Sequence, residues 1–174
     1  YLSDLRAELV GVAHRLRVRP DGAASAVDTL LGRNRELEKR LEAYEAQARS
    51  GQAGALADEA EKVGAARLVI AARPGLAPDE LRALAIQVRD RLGRGLVVLG
   101  AEREGKAGLV AALSRDLVAA GVSAAAILGP AARLLGGGSS RDPELAQAGG
   151  PHGDRLVEAL EAARNAGREA LQGA

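Results

Sequence analysis

Two short apolar runs, Leu68-Val-Ile-Ala-Ala72 and Leu96-Val-Val-Leu-Gly100, constrain this chain most. Each is β-branched at its centre and bounded by turn residues, so each is predicted to be a buried strand. Arg73-Pro74-Gly75 ends the first, and Gly93 and Gly95 precede the second. Between them Pro78 suits the first turn of a helix, with Asp79 and Glu80 favourable beside its N-terminus. Leu81, Leu84, Ala85, Val88 and Leu92 then recur at helical spacing on one face. Strand, helix, strand in that order dictates a parallel pair with a right-handed crossover. "AEREGK" turns the chain into Ala107–Ser114, a third strand predicted to pair as a hairpin with the second. A helix interrupted at Gly129-Pro130 is predicted over Ser123–Leu135, and an amphipathic one over Asp154–Leu171, with Leu156, Leu160, Ala163 and Leu171 on one side. The fold class is α/β (α+β).

The first part of the chain has another period. Leu2, Leu5, Leu9, Val12 and Leu16 recur every three or four residues, as in a coiled-coil seam. "VRPDGAAS" breaks the pattern, with Pro20 removing a donor, Gly22 permitting a turn and Ser25 placed to cap the next helix. A second seam runs through Val27, Leu30, Asn34, Leu37, Leu41, Tyr44 and Ala48. So short a connection favours an antiparallel hairpin. The same seam also suits a parallel homodimer, in which Arg33 and Arg40 at g reach Glu38 and Glu45 at e of a partner. Asn34 at a core position either sets register or faces solvent. After "RSGQAGA", Leu56–Ala65 is expected to continue the helix. This places a helical arm over 1–66 and a globular sheet-and-helix domain over 67–174.

Composition excludes several functions. The 174 residues carry a net charge of +1, which argues against blanket nucleic-acid electrostatics but allows a local basic patch. With no Phe, Trp or Met, any core is built from Leu, Val, Ile and Ala. No cysteine is present, so neither a disulfide nor a thiolate metal site can form. No apolar run approaches the ~18 residues of a membrane-spanning helix, and no signal peptide opens the chain. A chain that starts at Tyr1 and lacks Met is read as a piece of a longer protein. Catalytic signatures such as HExxH and GxSxG do not occur. Gly100–Ala107 fits GxxxxGK, but Ala107 replaces the magnesium-binding Ser or Thr and a strand follows in place of a helix. It is read as a hairpin turn.

The stretch "GGGSSRDPELAQAGGP" remains. Its glycines exceed what a helix or strand tolerates, and it is read as a loop over Gly136–Gly150. Gly136, Gly137 and Gly138 can bare backbone amides to a sugar-phosphate chain, and Arg141 can fork onto phosphate. Gln147 can donate and accept, Gly149 and Gly150 repeat the close approach, and Arg103 and Lys106 at the hairpin tip add cations. The alternative is a helix C-cap followed by a flexible loop.

This stretch resembles the glycine-rich signature of the DHHA1 domain at the C-terminus of alanyl-tRNA synthetases, a run of glycines followed by R-P-D-M-A-Q-A-G-G. Ala146-Gln-Ala-Gly-Gly150 matches outright, and Glu144 and Leu145 replace Asp and Met. "GKAGLVAALSRDLVAAGVSAAAIL" is similar to the family's strand–loop–helix run, with Lys106 in its Gly-Lys, and a coiled-coil arm precedes the domain in the family too. The sequence departs where Ser139 and Ser140 shorten the glycine run and where Arg141 stands one place early, with Asp142 in its slot.

The resemblance implies a non-catalytic, cytoplasmic C-terminal module of alanine–tRNA ligase. Such a module binds the elbow of tRNA(Ala), supports aminoacylation and editing, and contributes to homodimerisation. Its partners are tRNA(Ala) and the upstream catalytic and editing domains of the same chain, with no membrane. It implies no cofactor here, since ATP, Mg and Zn belong to those upstream domains. Two alternatives stand beside it: the substrate-binding DHHA1 module of a DHH-family phosphoesterase or nanoRNase, and a pure dimerisation module.

Overall fold

The computed structural model describes residues 2–174, with every side chain among them except those of Leu2, Ser3 and Leu5. The seam positions Leu2 and Leu5 therefore lie outside the described side chains. The chain divides into two compact units, Tyr1–Ala48 and Arg49–Ala174.

The first unit holds α1 (Leu2–Leu16), a 3₁₀ turn (Pro20–Gly22) and the opening turns of α2 (Ala23–Asp58). Arg17 ends α1 in the left-handed region at φ 58°. There the amide of Val18 donates to the carbonyl of Ala13, closing the helix end. Pro20 opens the turn as expected, but Ser25 is no cap. Ala23 bonds back to Pro20, so the helix starts before Ser25, whose carbonyl accepts from Thr29 Oγ1 at 2.8 Å. Only Ala13 and Ala23 are buried among the described residues of this unit. The seam of α2 does not close on α1: Leu30, Leu37, Leu41 and Tyr44 are 51–71% exposed.

Helix α2 ends at Asp58, sooner than its predicted continuation to Ala65, and Glu61–Val63 forms strand β1. The compact unit begins at Arg49, earlier than the 66/67 division read from sequence. Burial explains the difference. Ala53, Leu56 and Ala57 pack into the same cluster as Val69, Leu84 and Val97, and β1 pairs with β2 (Ala66–Ala72).

The sheet continues through β3 (Gly95–Arg103), β4 (Lys106–Leu113), β5 (Gly138–Ser139) and β6 (Leu145–Gly150), in the order β1-β2-β3-β4-β6-β5. Strands β2 and β3 are parallel and joined by α3 (Pro78–Leu92), the predicted crossover. Strands β3 and β4 form the predicted hairpin, tipped by Glu104 and Gly105 at φ 54° and 77°. Two successive positive φ values make a tight primed turn suited to strand twist. No phosphate loop is present there.

A short helix α4 (Arg115–Ala119) leads to α5 (Ala124–Leu134), and α6 (Leu156–Gln172) follows the sheet. The expected interruption of α5 does not occur: Pro130 sits inside the helix. Ala126, whose carbonyl loses its donor, and Pro130 are both exposed, so water can satisfy the one and the ring of the other points outward. Helices α5 and α6 bury Ile127, Leu128, Ala159 and Ala163 against Leu96, Val98, Leu109 and Ala111 on one sheet face. Helix α3 and the end of α2 cover Val69, Val97, Leu99 and Val110 on the other. Each fully buried Leu contributes ~1.5–3 kcal/mol. An aliphatic core thus fills both layers without an aromatic ring.

Candidate nucleic-acid interface

The glycine-rich stretch is a pair of strands rather than a loop. Gly138 and Ser139 pair with Gly149 and Ala148, and β6 pairs along its length with β4, Ala107 opposite Gly150 and Val110 opposite Gln147. Glycine is tolerated in these strands because the neighbouring backbone occupies the space a side chain would need. A Cβ on Gly137 would strike the carbonyl of Gly149, and one on Gly150 the carbonyl of Leu135. Gly136, at φ 74°, caps α5 as its amide donates to Arg133. The freedom of these glycines is used inward, between segments of the chain itself. Gly138 differs, with open space where a side chain would stand.

Pairing also assigns faces. Directly opposed residues on neighbouring strands share a face. Val110 packs under α3, so its partner Gln147 and its alternates Gly108 and Lys106 lie on that face. Arg103 pairs with Lys106, and Gly138 with Gly149, which brings these residues to the same side. The structure therefore unites Arg103, Lys106, Gln147, Gly149 and Gly138 on one sheet face beside α3, while Gly136, Gly137 and Gly150 serve packing.

Arg141 follows Ser140, two residues past the end of β5. Ser140 is tied to Gln147 by two hydrogen bonds, the Gln147 amide donating to Ser140 Oγ at 2.9 Å and the Ser140 amide to the Gln147 carbonyl at 2.7 Å. By register Arg141 thus lies about 13 Å or more from Lys106, at ~3.3 Å per strand residue. Arg103, Lys106 and Arg141 are exposed, and none makes a side-chain hydrogen bond or ion pair among the described residues. They are available to phosphate.

The segment carrying Arg141 is held firmly. Asp142 Oδ1 accepts from the amides of Glu144 at 2.8 Å and Leu145 at 3.0 Å. Those donors, Leu145 first, hold the Asp142 carboxyl below its ordinary value of 3.8. Glu144 Oε1 accepts from Arg89 Nη1 at 3.1 Å and lies 3.7 Å from Arg115 Nε, which ties α3 to the start of β6. The Asp in the family arginine's slot thus works as a backbone clamp. A lowered carboxyl pKa adds stability above the unfolded value, and that stability is lost as pH falls through the folded value. The advantage of the parent over Asp142→Asn in urea unfolding is expected to be complete at about pH 5 and above. It should shrink as pH drops below 3.8; a difference constant with pH would contradict the clamp.

Residues on α3 escaped the sequence reading. Arg82 acts on the Asp142 carboxylate and Arg89 on Glu144, so both flank the same strands. Their separation by two helical turns was the available signal. Isolated Gly108 within a strand pattern was another. Among the described residues no three His, Asp or Glu side chains converge as a metal would require.

Comparison with known proteins places the fold in a family. The model of the DHHA1 domain family matches residues 61–169. An alanine–tRNA ligase of Anaeromyxobacter dehalogenans is 43% identical over 154 residues, 88% of this chain and 17% of that protein. That of Trichodesmium erythraeum is 33% identical over 164 residues, 94% of this chain and 19% of its own length. The chain thus spans less than a fifth of these relatives. The crystal structure of the C-Ala domain from Aquifex aeolicus alanyl-tRNA synthetase superposes with a TM-score of 0.56 at 27% identity, covering 66% of this chain and 98% of that one. With its sheet, signature strands and relatives in agreement, the chain belongs to the DHHA1 domain family.

Proposed function

We propose that this chain is a C-terminal, non-catalytic module of a cytoplasmic alanine–tRNA ligase, and that it grips the elbow of tRNA(Ala) on behalf of the upstream aminoacylation and editing sites. One observation carries the reading: three exposed cations without a side-chain partner, Arg103 and Lys106 at the β3–β4 hairpin tip and Arg141 just past β5, border the glycine-rich strands. ATP, Mg and Zn chemistry belongs to the rest of such an enzyme. No Phe, Tyr or Trp lies in the sheet unit, so this surface reads RNA shape and backbone more than sequence. Neutralising two or three phosphates predicts a salt slope on the order of −2 to −3 in a logarithmic titration. Replacing Arg141 and Lys106 together with Ala should flatten that slope and weaken tRNA binding with no loss of fold. Equal binding by parent and variant across the titration would place the interface elsewhere.

A second role is favoured by α2. Val27, Leu30, Leu37, Leu41 and Tyr44 are 39–71% exposed, and Val27, Leu30, Leu31, Asn34 and Leu37 line an apolar groove of about 510 Å³. A second copy of the arm is the complementary occupant, with Asn34 fixing register. Sedimentation of the parent should then show a dimer that Leu37→Asp converts to monomer, with the sheet unit's melting unchanged. A parent that sediments as monomer at all concentrations excludes this role.

A further inference from the structure

A cavity of about 310 Å³ opens on the interface face between the start of α3 and the β3–β4 hairpin. Its walls are Leu76, Pro78 and Leu81, and Ala101 and Gly108 form its floor. Leu76 is half-buried, an apolar side chain facing a space that nothing in the chain fills. A Cβ built on Gly108 meets no atom within 4 Å, so the floor is open by the width of a side chain. The mouth carries Arg103, Lys106 and Glu104, all exposed. Glu80 is already engaged, its carboxylate accepting from the Ala77 amide at 2.8 Å, and Asp79 beside it is exposed.

We infer that this cavity receives one unstacked nucleobase of the bound RNA, with Arg103 and Lys106 on the adjoining phosphates and Glu104 accepting from an N–H of the base edge. The inference rests on the RNA reading above and adds a subsite to it. Its size sits at the lower end of ligand pockets, ~300–1,000 Å³. An apolar slot flanked by unpaired cations matches a nucleotide, flat and apolar at the base and anionic at the phosphate. Proteins read RNA chiefly through bases that have left their stack. Here the base is held between aliphatic walls and a glycine floor, since no aromatic side chain lines the cavity. A carboxylate at the mouth pairs with base edges that present N–H groups.

The test uses a short single-stranded RNA and an otherwise identical abasic strand, titrated by fluorescence anisotropy at one low salt concentration. The parent is expected to bind the base-bearing strand about tenfold more tightly than the abasic one, within the range of a single base contact. Gly108→Val places a branched side chain on the floor, where a Cβ meets no atom within 4 Å, and suits a strand. It should lower affinity for the base-bearing strand to the abasic level and leave the abasic affinity unchanged. Glu104→Gln should alter the ranking among strands differing in one base while leaving the abasic strand unaffected; an unchanged ranking removes Glu104 from the site. A second measurement needs no variant: 2-aminopurine in the strand should brighten on binding, because it leaves its quenching stack for a cavity without rings. Equal binding of both strands by the parent, or no brightening, overturns the base subsite while phosphate binding stands. If the parent binds neither these strands nor tRNA, the RNA reading falls and the subsite with it.

Discussion

Gly137→Ala is expected to destabilise the sheet unit by more than ~3 kcal/mol, an overpacking cost above the common range because the obstacle is main chain. A Cβ there would drive into the carbonyl of Gly149, and a Cβ on Gly150 into the carbonyl of Leu135. Neither oxygen can swing aside as a side chain would. Relief requires β5 to part from β6, which breaks ladder hydrogen bonds, or β6 from the end of α5, which strains the bond from the His152 amide to the Leu135 carbonyl. Gly138→Ala, one residue away, meets nothing within 4 Å and should change stability by less than ~0.5 kcal/mol. Urea unfolding followed by circular dichroism compares the pair. Similar midpoints for the two variants would show that the signature glycines are not needed for packing.

Leu109→Ala should cost ~2–5 kcal/mol by the usual scale for a buried leucine. Leu109 is 1% exposed on β4 and fills the space over Gly100, where a Cβ would come within 2.8 Å of Leu109 Cδ2. Gly100→Ala alone overpacks this spot, also against Leu156 and Leu160. Combined with Leu109→Ala it refills part of the void, so the double variant should be less destabilised than the sum of the singles. The two residues are direct cross-strand partners, and coupling between such neighbours is the rule. Additive effects in a double-mutant cycle would show that the space over Gly100 collapses without Leu109.

Resemblance and local pattern brought the candidate surface into view, but not its internal logic. Gly136, Gly137 and Gly150 are expected from the sequence to bare amides to RNA; instead a Cβ on Gly137 or Gly150 would meet the chain's own backbone and one on Gly136 the His152 ring. Nothing in a run of glycines tells a ligand's approach from a neighbouring strand's. Arg103 and Lys106 were legible because a hairpin tip is local, and they do share a face with Gln147 and Gly149. Arg82, Arg89 and the cavity over Gly108 were not, since they depend on where α3 crosses the sheet.

The sequence by itself determined the parts whose signal repeats within a few residues. The crossover β2–α3–β3 and the hairpin β3–β4 follow from apolar runs, a helical stripe and a tight turn. The apolar seam of α2 follows from its period. Only tertiary structure decided where α2 ends and that Glu61–Val63 becomes a strand, because β2 offers an open edge at that place. Likewise only tertiary structure let Pro130 stay inside a helix, since packing by Ile127, Leu128, Ala131 and Ala132 holds both halves against the sheet. It also made strands of a glycine-rich stretch: β4 presents unpaired backbone donors and acceptors, and satisfying them outweighs the poor strand propensity of glycine.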